Sequence, residues 1–285
     1  MQILQHEPLS RHTTFKIGGA AETVLIPQSI PDLAEYLRTN PMPDTALILG
    51  AGSNVLITAA AIQRPVFIIT FAGIKIESET GRVYAEAGLP LPQLSQILQK
   101  NHLTGLEFVC GIPGTVGGAV VMNAGVREQW ISSCINNVFC LDRQGHPVTV
   151  DKLAAGFGYR ESIFQKERLI VVAVEFQLQR GDPAAMAKLI QGYNEKRRAT
   201  QPLQYPSAGS VFKNTPAAPA GFLIEEAGGK GMRVGGALVS PQHANFIVNT
   251  GGATAADVLQ LIDQVKEKVK VKLGVDLELE IKIIL

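Results

Sequence analysis

One short stretch of this chain, Gly111-Ile-Pro-Gly-Thr-Val-Gly-Gly-Ala119 followed by Met122-Asn-Ala-Gly125, concentrates five glycines and a proline. Glycine costs stability unless the backbone must take a positive φ or let something approach closely, so few folds carry such a run. It predicts a segment shaped around a bound group. An earlier piece, Leu49-Gly-Ala-Gly-Ser-Asn54, belongs to the same class. It fails the Rossmann fingerprint: Val55 stands where the third glycine should be, the following residues are strand-like, and no acid sits about 20 residues on. Alone it reads as an ordinary hairpin turn. Paired with the second segment, it reads as one half of a dinucleotide cradle, its backbone N–H groups aimed at phosphate and Ser53 and Asn54 adding side-chain donors.

Composition narrows what such a cradle can serve. The 26 Lys and Arg balance 25 Asp and Glu, a net charge of +1, so there is no global field to hold nucleic acid. The longest apolar run, Leu169 to Val174, stops at Glu175, far short of the roughly 20 residues a membrane helix needs. The first eight residues carry neither a basic region nor an apolar run, so no secretory signal is read there and a cytoplasmic location is expected. Cys110, Cys134 and Cys140 include no Cys-x-x-Cys pair, and the five histidines lack the helical spacing of a zinc site. Buried reduced thiols and no metal are the expectation.

Periodicity supplies the framework. Helices are predicted from Ser29 to Leu37, from Pro90 to Gln99, from Ala184 to Ala199 behind Asp182 and Pro183, and from Thr254 to Gly274 behind a capping box. Strands are predicted at 46–49, 55–57, 66–69, 83–87, 138–141, 147–150 and 169–176. The break at Gly181 predicts a domain junction. The tail Val275 to Leu285 alternates apolar and charged residues and reads as a strand needing a partner elsewhere. Within it Glu278 and Glu280 share one side, which on pattern alone is a solvated face.

Two further segments say little by themselves. Phe157-Gly-Tyr-Arg-Glu-Ser162 reads as a surface loop with an ion pair. Ser207-Ala-Gly-Ser-Val-Phe-Lys-Asn214 lacks the nucleophile elbow, and no aspartate lies between Ser210 and His243, which excludes a hydrolase triad.

Taken in order, however, His12-Thr-Thr-Phe-Lys-Ile-Gly-Gly19, the 49–54 segment, Gly105-Leu-Glu-Phe108 running into 111–119, Met122-Asn-Ala-Gly125, Tyr159-Arg-Glu-Ser162, Gly209-Ser-Val-Phe-Lys-Asn214 and Leu277-Glu-Leu-Glu280 resemble the UDP-N-acetylenolpyruvoylglucosamine reductases, flavoenzymes of peptidoglycan precursor synthesis. The resemblance covers nearly the whole chain. Because the segment between Arg160 and Ser210 is short and lacks a tyrosine-bearing substrate loop, it is to the shorter, type II form.

The resemblance implies an α+β protein: a two-part α/β FAD-binding region of PCMH type over 1–181 (about 1–65 and 66–181), a smaller α+β substrate-binding domain over 182–270, and a C-terminal strand, 271–285, returning to the N-terminal sheet. It implies non-covalent FAD held by Gly50, Ala51, Gly52, Ser53 and Asn54, and by Gly111, Ile112, Pro113, Gly114, Thr115, Gly117 and Gly118, with Asn123 and Gly125. NADPH would reduce the flavin, and UDP-N-acetylglucosamine enolpyruvate would follow at the same site. Arg160 matches the family's arginine beside the developing negative charge, Ser210 its proton donor to C2, and Glu280 its glutamate at the substrate carboxylate, expected inside the protein with Glu278 in support. Tyr159, Lys213, Asn214, His243 and Arg197, or Arg198, are the expected substrate contacts, and a monomer is expected. The competing enzyme reading is an FAD-dependent oxidase or dehydrogenase of the same flavin-binding fold acting on a sugar or hydroxy acid. A third is a nucleotide-binding regulatory protein that has lost catalysis.

Overall fold

The computed structural model describes residues 1–126 and 128–285. The chain forms two compact units whose segments interleave in sequence: Met1–Gln5, Glu22–Ala51 and Gln63–Lys196 in the first, His6–Ala21, Gly52–Ile62 and Arg197–Leu285 in the second. Each has its own core. The first is built on Leu25, Phe67, Phe71, Leu94, Phe108 and Phe176, the second on Phe15, Leu56, Phe212, Ile247 and Leu261.

In the first unit Val24 and Leu25 pair in parallel with Val66 and Phe67, which pair in parallel with Leu47–Leu49 on the other side. The helix Ile30–Thr39 buries Leu33, Ala34 and Leu37, and starts where Ser29 Oγ accepts from Asp32 N–H at 3.2 Å. A five-stranded sheet follows, in the order Pro147–Asp151, Ile135–Leu141, Ile170–Gln177, Arg82–Glu86, Ile74–Glu77, all antiparallel. Its central strand is buried from Ile170 to Val174, which is why that run reads as continuously apolar. The helix Pro183–Thr200 opens as expected, Asp182 Oδ2 accepting from Ala185 N–H at 2.8 Å.

The second unit holds an antiparallel sheet in the order Ser207–Ser210, Phe246–Asn249, Ala237–Val239, Arg233–Val234. The long helix Ala255–Leu273 buries Val258, Leu261, Ile262, Val265 and Val269. Its capping box joins Thr254 and Asp257, and Gly274 ends it at φ 70°.

Several expectations are corrected. Leu47–Leu49 and Val55–Ile57 do not form a hairpin: the first pairs with Val66–Ile68 and the second, in parallel, with Lys282–Ile284. The tail is not a strand from Val275. Leu279 makes one bridge to Phe212, and regular pairing begins only at Lys282, because an alternating pattern gives a strand only where a partner offers its edge. Two short helices, Val116–Val121 and Ala220–Glu226, lie where loops were read. Burial of Val116, Ala119 and Val120 overrides the poor helix propensity of Gly117 and Gly118. Of the three free thiols only Cys140 is buried, and desolvation pushes its pKa up to about 12; Cys110 and Cys134 are half-buried. Among the described residues no helix is long and apolar enough to cross a membrane, and no three His, Cys, Asp or Glu side chains are grouped to hold a metal.

Candidate active site

The two glycine segments meet. Gly50 lies against Thr115 so closely that a Cβ would run into Thr115 Oγ1. Gly52 sits at φ 60° with His12 O where a Cβ would be, so only glycine fits this turn without strain. Thr14 N–H donates to Gly52 O at 3.2 Å. Among the described residues, no backbone carbonyl accepts from the N–H groups of Gly50, Ala51, Gly52, Ser53, Gly114 or Thr115. Ala51, Pro113 and Gly118 are exposed, and Gly50, Ser53, Asn54, Ile112 and Gly114 are half-buried.

Other members of the expected cofactor set spend their polar groups on the protein itself. Gly117 N–H donates to Ala87 O at 2.8 Å, and Ile112 N–H to Val109 O at 3.0 Å. Gly118 N–H points at Thr115 Oγ1, 3.4 Å away. Buried Asn123 donates to Gly158 O at 2.9 Å and accepts from Ser132 N–H at 3.3 Å. Gly111 is buried at the end of a short 3-10 helix.

These bonds tie the second glycine segment to the loop that carries Arg160. Arg160 itself holds φ at 57°, a left-handed setting that a long side chain rarely adopts. Its neighbours enforce it: Ser162 Oγ donates to Val121 O at 2.7 Å, and Gln165 Nε2 to Val121 O at 3.0 Å and to Arg160 O at 2.7 Å. The guanidinium lies 5.5 Å from the Trp130 ring centre and 5.4 Å from that of Tyr159, and Nη2 donates to Gly125 O at 3.3 Å. Tyr159 and Trp130 meet edge to face at 5.8 Å. A fixed cation, half-buried among aromatic faces, results.

In the second unit, Ser210 precedes Val211, and Glu280 pairs with Val211. Val211 N–H donates to Asn245 O at 2.9 Å, and Val211 O accepts from Glu280 N–H at 2.8 Å. Ser210 ends its strand opposite Phe246, after a register shift and Gly209 at φ 75°, which turn the strand just before the serine. Glu280 is half-buried rather than enclosed, and its carbonyl accepts from Asn54 Nδ2 at 3.1 Å. Glu278 is exposed and pairs with Lys213 Nζ at 3.3 Å. The two glutamates therefore part company, because the tail is not a regular strand between them.

The expected substrate contacts lie at several places. Lys213 follows Ser210 on the same segment, its N–H donating to Glu278 O at 2.8 Å. Asn214 is exposed, and its Oδ1 accepts from Ala220 N–H at 3.0 Å at the start of the Ala220–Glu226 helix. His243 is half-buried edge-on to Phe246, its Nδ1 accepting from Asn245 N–H at 3.2 Å, and burial holds its pKa below the ordinary histidine value. Arg197, half-buried near the end of its helix, donates through Nε to Gln201 Oε1 at 2.7 Å.

Two residues that organise these groups carry no signal in the sequence. Trp130 backs Arg160. Asn245, buried, accepts from Phe212 N–H at 2.9 Å and donates to Phe212 O at 2.8 Å, so its amide replaces a missing strand partner. A lone asparagine 33 residues from its partner offers nothing to read locally.

Residues 21–151 match the family model of the FAD binding domain, and residues 201–284 that of the C-terminal domain of UDP-N-acetylenolpyruvoylglucosamine reductase. The reductase of that name from Carboxydothermus hydrogenoformans is 43% identical, the match covering 99% of this chain and 94% of that protein. The one from Moorella thermoacetica is also 43% identical, over 99% and 93%. The crystal structure of UDP-N-acetylenolpyruvylglucosamine reductase (MurB) from Thermus caldophilus superimposes with a TM-score of 0.82 at 33% identity, covering 100% of this chain and 98% of that one.

Proposed function

The chain belongs to the UDP-N-acetylenolpyruvoylglucosamine reductase family, and from that premise we propose that it reduces the enolpyruvyl group of UDP-N-acetylglucosamine enolpyruvate to give UDP-N-acetylmuramate, with FAD as cofactor and NADPH as hydride donor.

The protein's groups fit FAD. The pyrophosphate calls for several unspent N–H donors on a backbone that approaches closely, and the Gly50–Ser53 and Gly114–Thr115 turns supply them. Gly111, Ile112, Pro113, Gly117, Gly118, Asn123 and Gly125 shape this surface more than they donate to it. Bound there, FAD would supply the hydride chemistry between NADPH and C3 of the enolpyruvyl double bond.

The remaining work falls to side chains of the chain. Negative charge developing at C2 and on the attached carboxylate needs a fixed donor in a partly dry setting, and Arg160 meets that need with a guanidinium already seated on aromatic rings. Ser210 Oγ gives its proton to C2. A hydroxyl is a weak acid, but a carbanion-like centre is far more basic. Glu280, bonded through its N–H to the residue after Ser210, assists at the substrate carboxylate. Tyr159, Lys213, Asn214, His243 and Arg197 are the proposed contacts to the nucleotide sugar. By function, residues 1–181 would serve the cofactor and 182–270 the substrate, with 271–285 carrying Glu280. We place the enzyme in the cytoplasm as a monomer, without nucleic-acid or membrane partners.

The observation that carries this reading is the bond from Glu280 N–H to Val211 O, which brings Glu280 to the residue that follows Ser210 although 70 residues separate Ser210 from Glu280. The test is the anaerobic visible spectrum as NADPH and then substrate are added. Bleaching by NADPH and recolouring by UDP-N-acetylglucosamine enolpyruvate is the expected result. Recolouring by oxygen alone would favour an oxidase, and a colourless protein that does not take up FAD would overturn the reading.

A further inference from the structure

Asn54 closes the first glycine turn, but its side chain leaves it. Nδ2 donates to Glu280 O at 3.1 Å, across 226 residues of sequence. Its own carbonyl accepts from Lys282 N–H at 2.9 Å, and from Val55 onward the chain pairs in parallel with the terminal strand, Val55 opposite Lys282. Glu280 N–H is taken by Val211 O at 2.8 Å. The backbone N–H and C=O of Glu280 are thus both bound, one by the residue after Ser210 and the other by the last residue of the cofactor turn. Among the described bonds to the Glu280 backbone, the one from Asn54 comes from a side chain and the one from Val211 from backbone.

We propose that Asn54 is a positioning residue for Glu280: its carboxamide sets the backbone of Glu280, and hence the direction of the carboxyl, against the Ser210 strand. This rests on the reading of Glu280 as an active-site acid, and it replaces the expectation that the Asn54 side chain is a phosphate donor. The chemistry favours an asparagine. A carbonyl acceptor needs an N–H or O–H donor at a fixed reach, which alanine lacks and which aspartate replaces with a repelling oxygen. With the carbonyl released, the Glu280–Ile281 peptide keeps only the long Ile281 N–H contact to Val211 O at 3.5 Å and can tilt between the bonds of Glu280 N–H and Lys282 N–H, and a misplacement of the order of 1 Å at a reacting group costs up to about a hundredfold in rate.

Holoenzymes carrying Asn54→Ala, Asn54→Asp and Glu280→Gln, with the Asn54→Ala/Glu280→Gln double variant, test this by anaerobic stopped flow. For Asn54→Ala the expected result is FAD affinity within about threefold of wild type, less than 1 kcal/mol by the tenfold-per-1.4 rule. Bleaching by NADPH should be unchanged, and recolouring by substrate about tenfold or more slower. Asn54→Asp should be at least as slow. In the Glu280→Gln background Asn54→Ala should cost less than about twofold more, because a residue acting through Glu280 has nothing left to position. If Asn54→Ala does not fold, Asn54→Ser, which keeps a shorter donor, takes its place with the same expectation at smaller size. Weakened FAD with normal recolouring would make Asn54 a cofactor contact and overturn the proposal, as would fully additive losses. If Glu280→Gln itself recolours at the wild-type rate, the reading of Glu280 falls and takes this one with it. A slow Glu280→Gln beside a fast Asn54→Ala overturns the Asn54 role alone.

Discussion

Arg160 in the first unit is held by side chains. Asn123, Ser162 and Gln165 pin the backbone of its loop, Trp130 and Tyr159 back its guanidinium, and its own φ of 57° is kept in place by those bonds. In the second unit Ser210 and Glu280 are held mainly by backbone, through Val211, Asn245 O and the bridge between Phe212 and Leu279, with the carboxamides of Asn245 and Asn54 as the side chains that take part. The difference decides what a substitution can do. Around Arg160 the residues that position are themselves mutable, so activity and loop stability fall together. Around Ser210 the side chain proposed to react can be removed while its frame stays, so chemistry and stability separate.

The largest test of that contrast is Ser210→Ala. General-acid loss should slow recolouring by substrate by about 10²- to 10⁴-fold. Bleaching by NADPH and the thermal midpoint should stay at wild-type values. A midpoint drop comparable to a core defect would show that the serine side chain is part of the frame. Arg160→Lys comes next, at about 10²- to 10³-fold in the same half-reaction, since a point charge replaces a planar donor on two rings. Asn123→Ala should reveal the other half of the contrast: it touches no proposed reacting atom, yet leaving Gly158 O and Ser132 N–H unbound in a buried place costs about 1–3 kcal/mol, read as a lower denaturation midpoint. Recolouring should slow with it. Gly209→Ala is smaller, about 1–2 kcal/mol for a side chain forced to φ 75°. If backbone is what aims Ser210, its rate loss should exceed what the stability loss alone produces.

How much of this was legible follows the range of each interaction. Caps act over three or four residues, so Ser29, Asp182, Thr254 with Asp257, and Gly274 could be read directly and stand where expected. The glycine segments could be read because the cost of glycine itself demands a reason. The exchange of His6–Ala21 and Gly52–Ile62 into the unit of the C-terminal third was illegible, since composition shifts at Gly181 but not at Ala51. So was the end of alternation at Lys282, because whether a strand forms depends on an edge supplied 227 residues earlier by Val55. Arg160, Ser210 and Glu280 were singled out by family pattern. Trp130, Asn245 and the reach of Asn54 belong to no local pattern and emerge only when the chain is folded.

The smallest effect also tests the contrast, by pH. His243 Nδ1 accepts from Asn245 N–H, and Asn245 O accepts from Val211 N–H, so the imidazole touches the backbone frame of Ser210. Burial disfavours its charged form and lowers its folded pKa below the unfolded value of about 6.5. A group lowered on folding contributes stability that is complete above the unfolded pKa and is lost as pH falls through it toward the folded pKa, because the unfolded chain binds the extra proton first. Protonation also converts Nδ1 from acceptor to donor and breaks its bond to Asn245. The second unit should therefore lose stability as pH falls below about 6.5, while the Arg160 loop, whose described bonds include no histidine, should not. Hydrogen exchange at the amides of Val211 and Phe212 should speed up over that range in the wild type and much less in His243→Gln, with the amides around Ser162 unchanged in both. Equal acceleration in His243→Gln would assign the pH sensitivity to another group and leave the backbone frame independent of this ring.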